Sequence, residues 1–165
     1  IARVVLLSTA AAVALADGDI GAAIDYGRSA DAEATELGVE REVPLIRTVL
    51  ARALMADGDL VGAADRAVAA IDAARSLSFA FPLAICLETA ALVLLAVGNG
   101  VGADIGALFA AAGDIRTRGD RPAPPTLRAA VESARVDFAD EIAAARIDRE
   151  AAAMIALARL RGVVS

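Results

Sequence analysis

The chain has 165 residues, 58% apolar but only 3% aromatic, and sets 16 arginines against 22 acids with no lysine and no histidine. Its one cysteine, Cys86, excludes an internal disulfide, and the missing histidine excludes Cys/His metal sites and histidine-based catalysis. A net charge of −6 lacks the basic footprint of a nucleic-acid binder. The apolar surplus is alanine, the strongest helix former, and alternating β-branched stretches are nearly absent, so an all-α fold is expected. The mean hydropathy of +0.62 predicts apolar surface left over for a partner, a second copy or flanking repeats. The charge is unevenly placed: residues 1–100 hold 7 arginines and 13 acids, residues 101–165 hold 9 of each.

Residues 1–16 are almost wholly apolar, with Arg3 as the one charge, and end in Ala14-Leu15-Ala16. That shape is shared by export leaders, but residues 43–56 hold the same place before the next turn and carry Arg47 and Arg52. Residues 1–16 are therefore read as the first helix of a repeat. Asp17-Gly18-Asp19-Ile20 follows; it recurs as Asp57-Gly58-Asp59-Leu60, and in worn form as Val97-Gly98-Asn99-Gly100, at a stride of 40 residues. The chemistry is that of a helix–helix turn. Glycine takes the left-handed conformation past a helix end without a Cβ clash. The second aspartate accepts a free backbone N–H at the start of the next helix, facing its dipole.

The spacing of Ile20, Ala23, Ile24, Gly27, Ala30, Ala34 and Leu37 predicts a helix over residues 20–37, stopped by Gly38. Residues 43–55 and 60–77 repeat the plan, Pro44 suiting a first turn and Ala63, Ala67, Ala70 and Ala74 forming a row that allows close packing. Ser76-Leu77-Ser78-Phe79 breaks the run, and residues 82–97, with Glu88 as the one charge, read as a helix covered on most sides. Cys86 inside it reads as a small buried filler. Residues 101–117 close a third unit; Gly102, Gly106 and Gly113 predict a looser or shorter helix there. Residues 116–125 are the clearest break, with Gly119 and three prolines. Arg118-Gly119-Asp120 spells a cell-adhesion tripeptide but reads as an exposed turn, and Arg116, Arg118 and Arg121 as a solvated loop. The tail departs from the stride. Helices are expected over residues 125–135, 138–145 (capped by Asp137) and 149–160 (capped by Asp148), folding over the last hairpin to cover the end of the stack.

These units resemble tetratricopeptide-type helix hairpins stretched to about 40 residues. The resemblance rests on Ala11, Ala51 and Ala91 in the first helices, Ala23, Ala63 and Ala103 at the first alanine position of the second helices, and Ala30, Ala70 and Ala110 seven residues on. The characteristic tryptophan, tyrosine and closing proline are not met, so the likeness is to the divergent superfamily. The stretch from Phe138 to Ala151 is similar to the end of the helical C-terminal region in large bacterial LuxR-type transcriptional regulators and related regulatory ATPases, some joined to cyclase domains; Arg146 stands where they usually have glycine. The resemblance implies a right-handed α-α superhelix of antiparallel hairpins in one domain: hairpins over residues 1–39, 40–79 and 80–118, and capping helices over 122–162. It also implies a cytoplasmic regulatory arm, part of a longer protein.

Sites of chemistry are missing from the sequence. With no lysine there is no Gly-x-x-x-x-Gly-Lys phosphate loop, and no Gly-x-Ser-x-Gly elbow occurs. The Asp-Gly-Asp pairs lack the remaining oxygens of a calcium loop. The acids Asp31, Glu33, Glu36, Glu40 and Glu42 read as a solvated helix face rather than a docking patch. The expectation is therefore no enzyme, cofactor or metal. First helices of such stacks line a concave groove, which the resemblance places along Ser8, Ala12, Leu45, Thr48, Arg52, Met55, Ile85, Glu88 and Leu92. An amphipathic helix or extended peptide is the expected occupant, from another domain of the parent protein, a second copy or another protein; the rival is a groove filled by the chain's own side chains. No direct nucleic-acid or membrane contact is expected. The reading is a protein–protein interaction scaffold in a bacterial signalling or transcription regulator, with a small-ligand sensor of the same kind of regulator as the alternative.

Overall fold

A computed structural model describes residues 1–77, 80–98 and 100–165. Among these the chain is all-α, with no strand. Its helices are α1 (Ala2–Asp17), α2 (Ile20–Glu36), α3 (Val43–Asp57), α4 (Leu60–Arg75), α5 (Phe81–Val97), α6 (Gly102–Gly119), α7 (Pro125–Asp137), α8 (Ala139–Ala144) and α9 (Arg149–Val164). The expected break at Ser78-Phe79 and the Asn99 of the third turn lie outside the described residues.

The turns follow from their residue types. Gly18, Gly58 and Gly98 each stand just past a helix end at φ 80°, 88° and 72°, where any side chain would be strained. In the first two turns an aspartate then opens the next helix: Asp19 accepts the Ala22 N–H at 3.1 Å, and Asp59 accepts the Gly62 N–H at 2.8 Å. Proline stands in the first turn of α3, α5 and α7, where its missing N–H costs nothing.

Helices α1/α2, α3/α4 and α5/α6 pack as successive pairs, and α2 on α3 and α4 on α5 join each pair to the next. The contacts are close because the meeting faces are small: Ala23, Ala30, Ala63, Ala67, Ala70 and Ala74 are all buried. Charge braces them too. Asp31 of α2 receives Arg47 of α3 at 2.8 Å and Arg66 of α4 at 3.5 Å, so this acid ties three helices together instead of facing solvent. Helix α5 is the hub, packed against α3, α4, α6, α7 and α9, and its burial on nearly all sides suits its almost uncharged sequence.

The third pair departs from the first two. Ala103 is exposed and Ala110 half-buried, although Ala23, Ala63, Ala30 and Ala70 at the matching positions are fully buried. Helix α6 instead buries Ile105, Leu108, Phe109 and Ala112. Its glycines do not shorten it, for it runs 18 residues. They admit neighbours: a Cβ on Gly106 would stand 2.7 Å from the carbonyl carbon of Glu141 in α8, and one on Gly113 would stand 3.1 Å from the Arg135 guanidinium of α7. A close approach by the tail is what these glycines allow.

The tail also covers more than the last pair. Helix α9 packs on α4, α5 and α6, burying Ala152, Ala153, Ala156, Leu157 and Leu160, and α8 lies on α6. Arg75–Glu150, Arg161–Asp72 and Arg159–Asp104 pairs rim α9. Asp148 caps α9 through the Ala151 N–H at 2.8 Å, but Asp137 caps nothing: α7 runs through it, and Phe138 precedes α8 without a side-chain cap. At the other end α1 leaves Val5, Leu6 and Val13 exposed. No helix among the described residues is long and apolar enough to cross a membrane.

Candidate binding groove

The expected groove residues fall on α1, α3 and α5 at helical spacing, so each helix presents its set as one stripe. Ser8 and Ala12 of α1 are half-buried. On α3, Leu45, Arg52 and Met55 are half-buried; Thr48 is buried, its hydroxyl donating to the Leu45 carbonyl at 2.8 Å. On α5, Ile85 and Glu88 are buried and Leu92 is half-buried. Leu45, Met55 and Leu92 pack against the same apolar core as α5.

Helix α7 lies across this region. It packs against α1, α5 and α8, turning Leu127, Val131 and Ala134 inward and Arg128, Glu132 and Ser133 outward. Leu127 is fully buried and Val131 nearly so, and each such side chain contributes about 1.5–3 kcal/mol. Both ends of α7 are tethered. At its start Arg52 of α3 donates to the Thr126 hydroxyl at 3.4 Å and to the Thr126 carbonyl. At its far end Arg135 donates to the Phe109 carbonyl of α6 at 2.9 Å. Burial lowers the pKa of Arg52 from its ordinary value, yet a guanidinium stays charged at any working pH. Arg52 is therefore a fixed cationic donor to the first turn of α7.

Glu88 does not present a charge to the surface. Its carboxylate is 1% exposed and is gripped by Arg116, with Nε donating to Oε1 at 2.7 Å and Nη2 to Oε2. The same guanidinium donates to the carbonyls of Arg121 and Pro122 and stands 5.6 Å from the centre of the Phe81 ring. Arg116 is thus a largely covered clamp on the segment leading into α7, not part of a solvated loop. The neighbouring Thr89 hydroxyl is buried and finds no hydrogen-bond partner among the described residues.

The sequence predicts α7 as a helix; that Leu127, Val131 and Ala134, at four- and three-residue steps, form its buried stripe, and what they pack against, emerges only in the structure. Nor does spacing disclose that Glu88 and Arg116, 28 residues apart, are partners. Comparison of the chain with protein-family models, with curated proteins and with solved structures finds no match.

Proposed function

We propose that this chain is a non-catalytic, tetratricopeptide-like interaction module of a bacterial signalling or transcription regulator, working in the cytoplasm through a concave groove that receives an amphipathic helix. The observation that carries this reading is α7. It is an amphipathic helix seated across α5, with its first turn held by Arg52 of α3 and its last by α6. A surface that holds one such helix by a few apolar anchors and a cationic donor has the features of a helix-in-groove receptor. In this reading α7 is the occupant at rest, and a partner helix of like pattern takes its place.

The test uses the full chain. Leu127→Asp with Val131→Asp removes the apolar anchors of α7 and frees the groove. A labelled synthetic peptide of residues 122–138 is then added in trans and followed by fluorescence anisotropy. The expected result is binding to the variant at least about tenfold tighter than to the parent chain, a difference of about 1.4 kcal/mol. A variant that keeps its helical circular dichroism and binds the peptide no better than the parent overturns the reading.

A further inference from the structure

Away from the groove stripes, a cleft of about 1240 Å³ opens where the start of α5, the end of α6 and the segment joining α8 to α9 meet. Antiparallel pairing puts it at the end of the molecule opposite the Gly-Asp turns. Its charge runs against that of the chain. Arg41, Arg118, Arg121, Arg146 and Arg149 line it against two acids, Asp114 and Asp148, in a protein of net charge −6. Both acids are engaged: Asp114 pairs with Arg118 at 3.0 Å, and Asp148 caps α9. Arg146 is held in place by the carbonyls of Ala143 and Ala145, at 2.8 and 2.9 Å, and has no carboxylate partner among the described residues. Arg121 lies 5.1 Å from the centre of the Phe81 ring, and neither it nor Arg149 has a carboxylate partner among the described residues. The first turn of α9, with its positive dipole end, lies at the same cleft. Phe81, Ile115 and Ile147 supply an apolar wall beside these cations.

We infer that this cleft is a binding site for a small organic polyanion, a phosphorylated or polycarboxylate compound with an apolar body. Guanidinium forks match phosphate and carboxylate oxygens two at a time, and several around one cleft select for multiple negative charges. The cleft is large enough to hold the apolar body against Phe81. The site is distinct from the α7 groove, and the inference does not depend on the groove holding a helix.

The probes are pyrophosphate, citrate and adenosine triphosphate, with adenosine as the uncharged control, followed by calorimetry on the full chain at low and high salt. The variants are Arg121→Ala and Arg149→Ala, singly and together, since neither side chain holds a carboxylate among the described residues. The expected result is binding of at least one polyanion but not adenosine, weakened by salt and reduced at least about tenfold in the double variant. Pyrophosphate against citrate tells which anion the site prefers, and adenosine triphosphate should exceed pyrophosphate through the apolar wall. Absence of binding by all three polyanions at millimolar concentration overturns the inference. So does binding that a folded double variant keeps unchanged, because the anion is then held elsewhere. Equal affinity for pyrophosphate and adenosine triphosphate overturns the role of the apolar wall.

Discussion

Arg116 reaches from α6 to close a two-point ion pair on Glu88, a carboxylate in the middle of the most buried helix of the chain. The geometry explains how α5 tolerates a charge: both carboxylate oxygens accept from one guanidinium, itself only 11% exposed. Removing one partner leaves the other charged in the interior. Arg116→Ala should therefore destabilise by about 3–5 kcal/mol, a large share of a domain's total. Glu88→Gln should cost less, since Arg116 keeps its carbonyl acceptors at Arg121 and Pro122. Glu88→Leu with Arg116→Leu should recover much of the loss, since apolar replacements carry no desolvation cost. Urea unfolding of the three variants measures this; an Arg116→Ala midpoint equal to that of the parent would show the pair to be dispensable. The same burial makes charge reversal at Glu88 a test of folding, so the partner contacts proposed for the groove are better probed at Arg52 or Met55.

Gly106 and Gly162 separate two uses of glycine in a helix. Both lie within helices, and on propensity alone each Gly→Ala change gains up to about 1 kcal/mol. A Cβ on Gly162 would meet nothing within 4 Å, whereas one on Gly106 would run into the backbone of Glu141. Gly162→Ala should raise the melting temperature slightly. Gly106→Ala should lower stability by about 1–3 kcal/mol, as overpacking does, and detach α8 from α6. Thermal unfolding and amide exchange over residues 139–144 check both; a stabilising Gly106→Ala would show that α8 does not need this close approach.

The turn at Gly58 and Asp59 makes a paired prediction. Gly58→Ala forces a side chain into φ 88° and should cost about 1–2 kcal/mol. Asp59→Ala removes the acceptor of the Gly62 N–H and should cost about 1 kcal/mol, while Asp59→Asn should cost much less. Gly62→Ala should be tolerated. Alanine already holds the equivalent place at residue 22, with the cap bond lengthened only from 2.8 to 3.1 Å. Chemical denaturation distinguishes these outcomes, and a costless Gly58→Ala would rule out the left-handed turn.

What the sequence discloses is local. A glycine followed by aspartate states its own backbone geometry, and an alanine row states how near a neighbour can come; both are properties of a few adjacent residues. That is why the α1–α4 helices and their caps were readable. The path of the tail was not, because it depends on which distant surface accepts it. Ala103 and Ala110 keep the repeat's pattern, yet α6 turns other residues inward to meet α8 and α9. Gly106 and Gly113 looked like weak points because the atoms they admit come from Glu141 and Arg135, far along the chain. Glu88 looked like a groove residue for the same reason: its partner belongs to another helix. Periodicity assigns a face to a residue, and only the fold decides what covers that face.

Cys86 offers a pH test with a definite sign. Its thiol is 1% exposed in α5, and burial without a charged partner pushes its pKa far above the ordinary thiol value of 9.0. The folded chain thus keeps the proton where the unfolded chain releases it. Below pH 9 the neutral thiol is common to both states and stability is unaffected. Above it the unfolded state binds fewer protons, and stability falls with rising pH by up to about 1.4 kcal/mol per unit from this group. Cys86→Ala removes that slope, so the parent's stability advantage, set at pH 8 by the constant cost of the small cavity, should shrink as the pH rises from 9 to about 10.5. The same burial should shield the thiol from iodoacetamide at pH 8 until urea reaches the unfolding midpoint. Alkylation of the folded chain at the rate of a free thiol would mean that α5 opens locally, and the hub role given to that helix would fail with it.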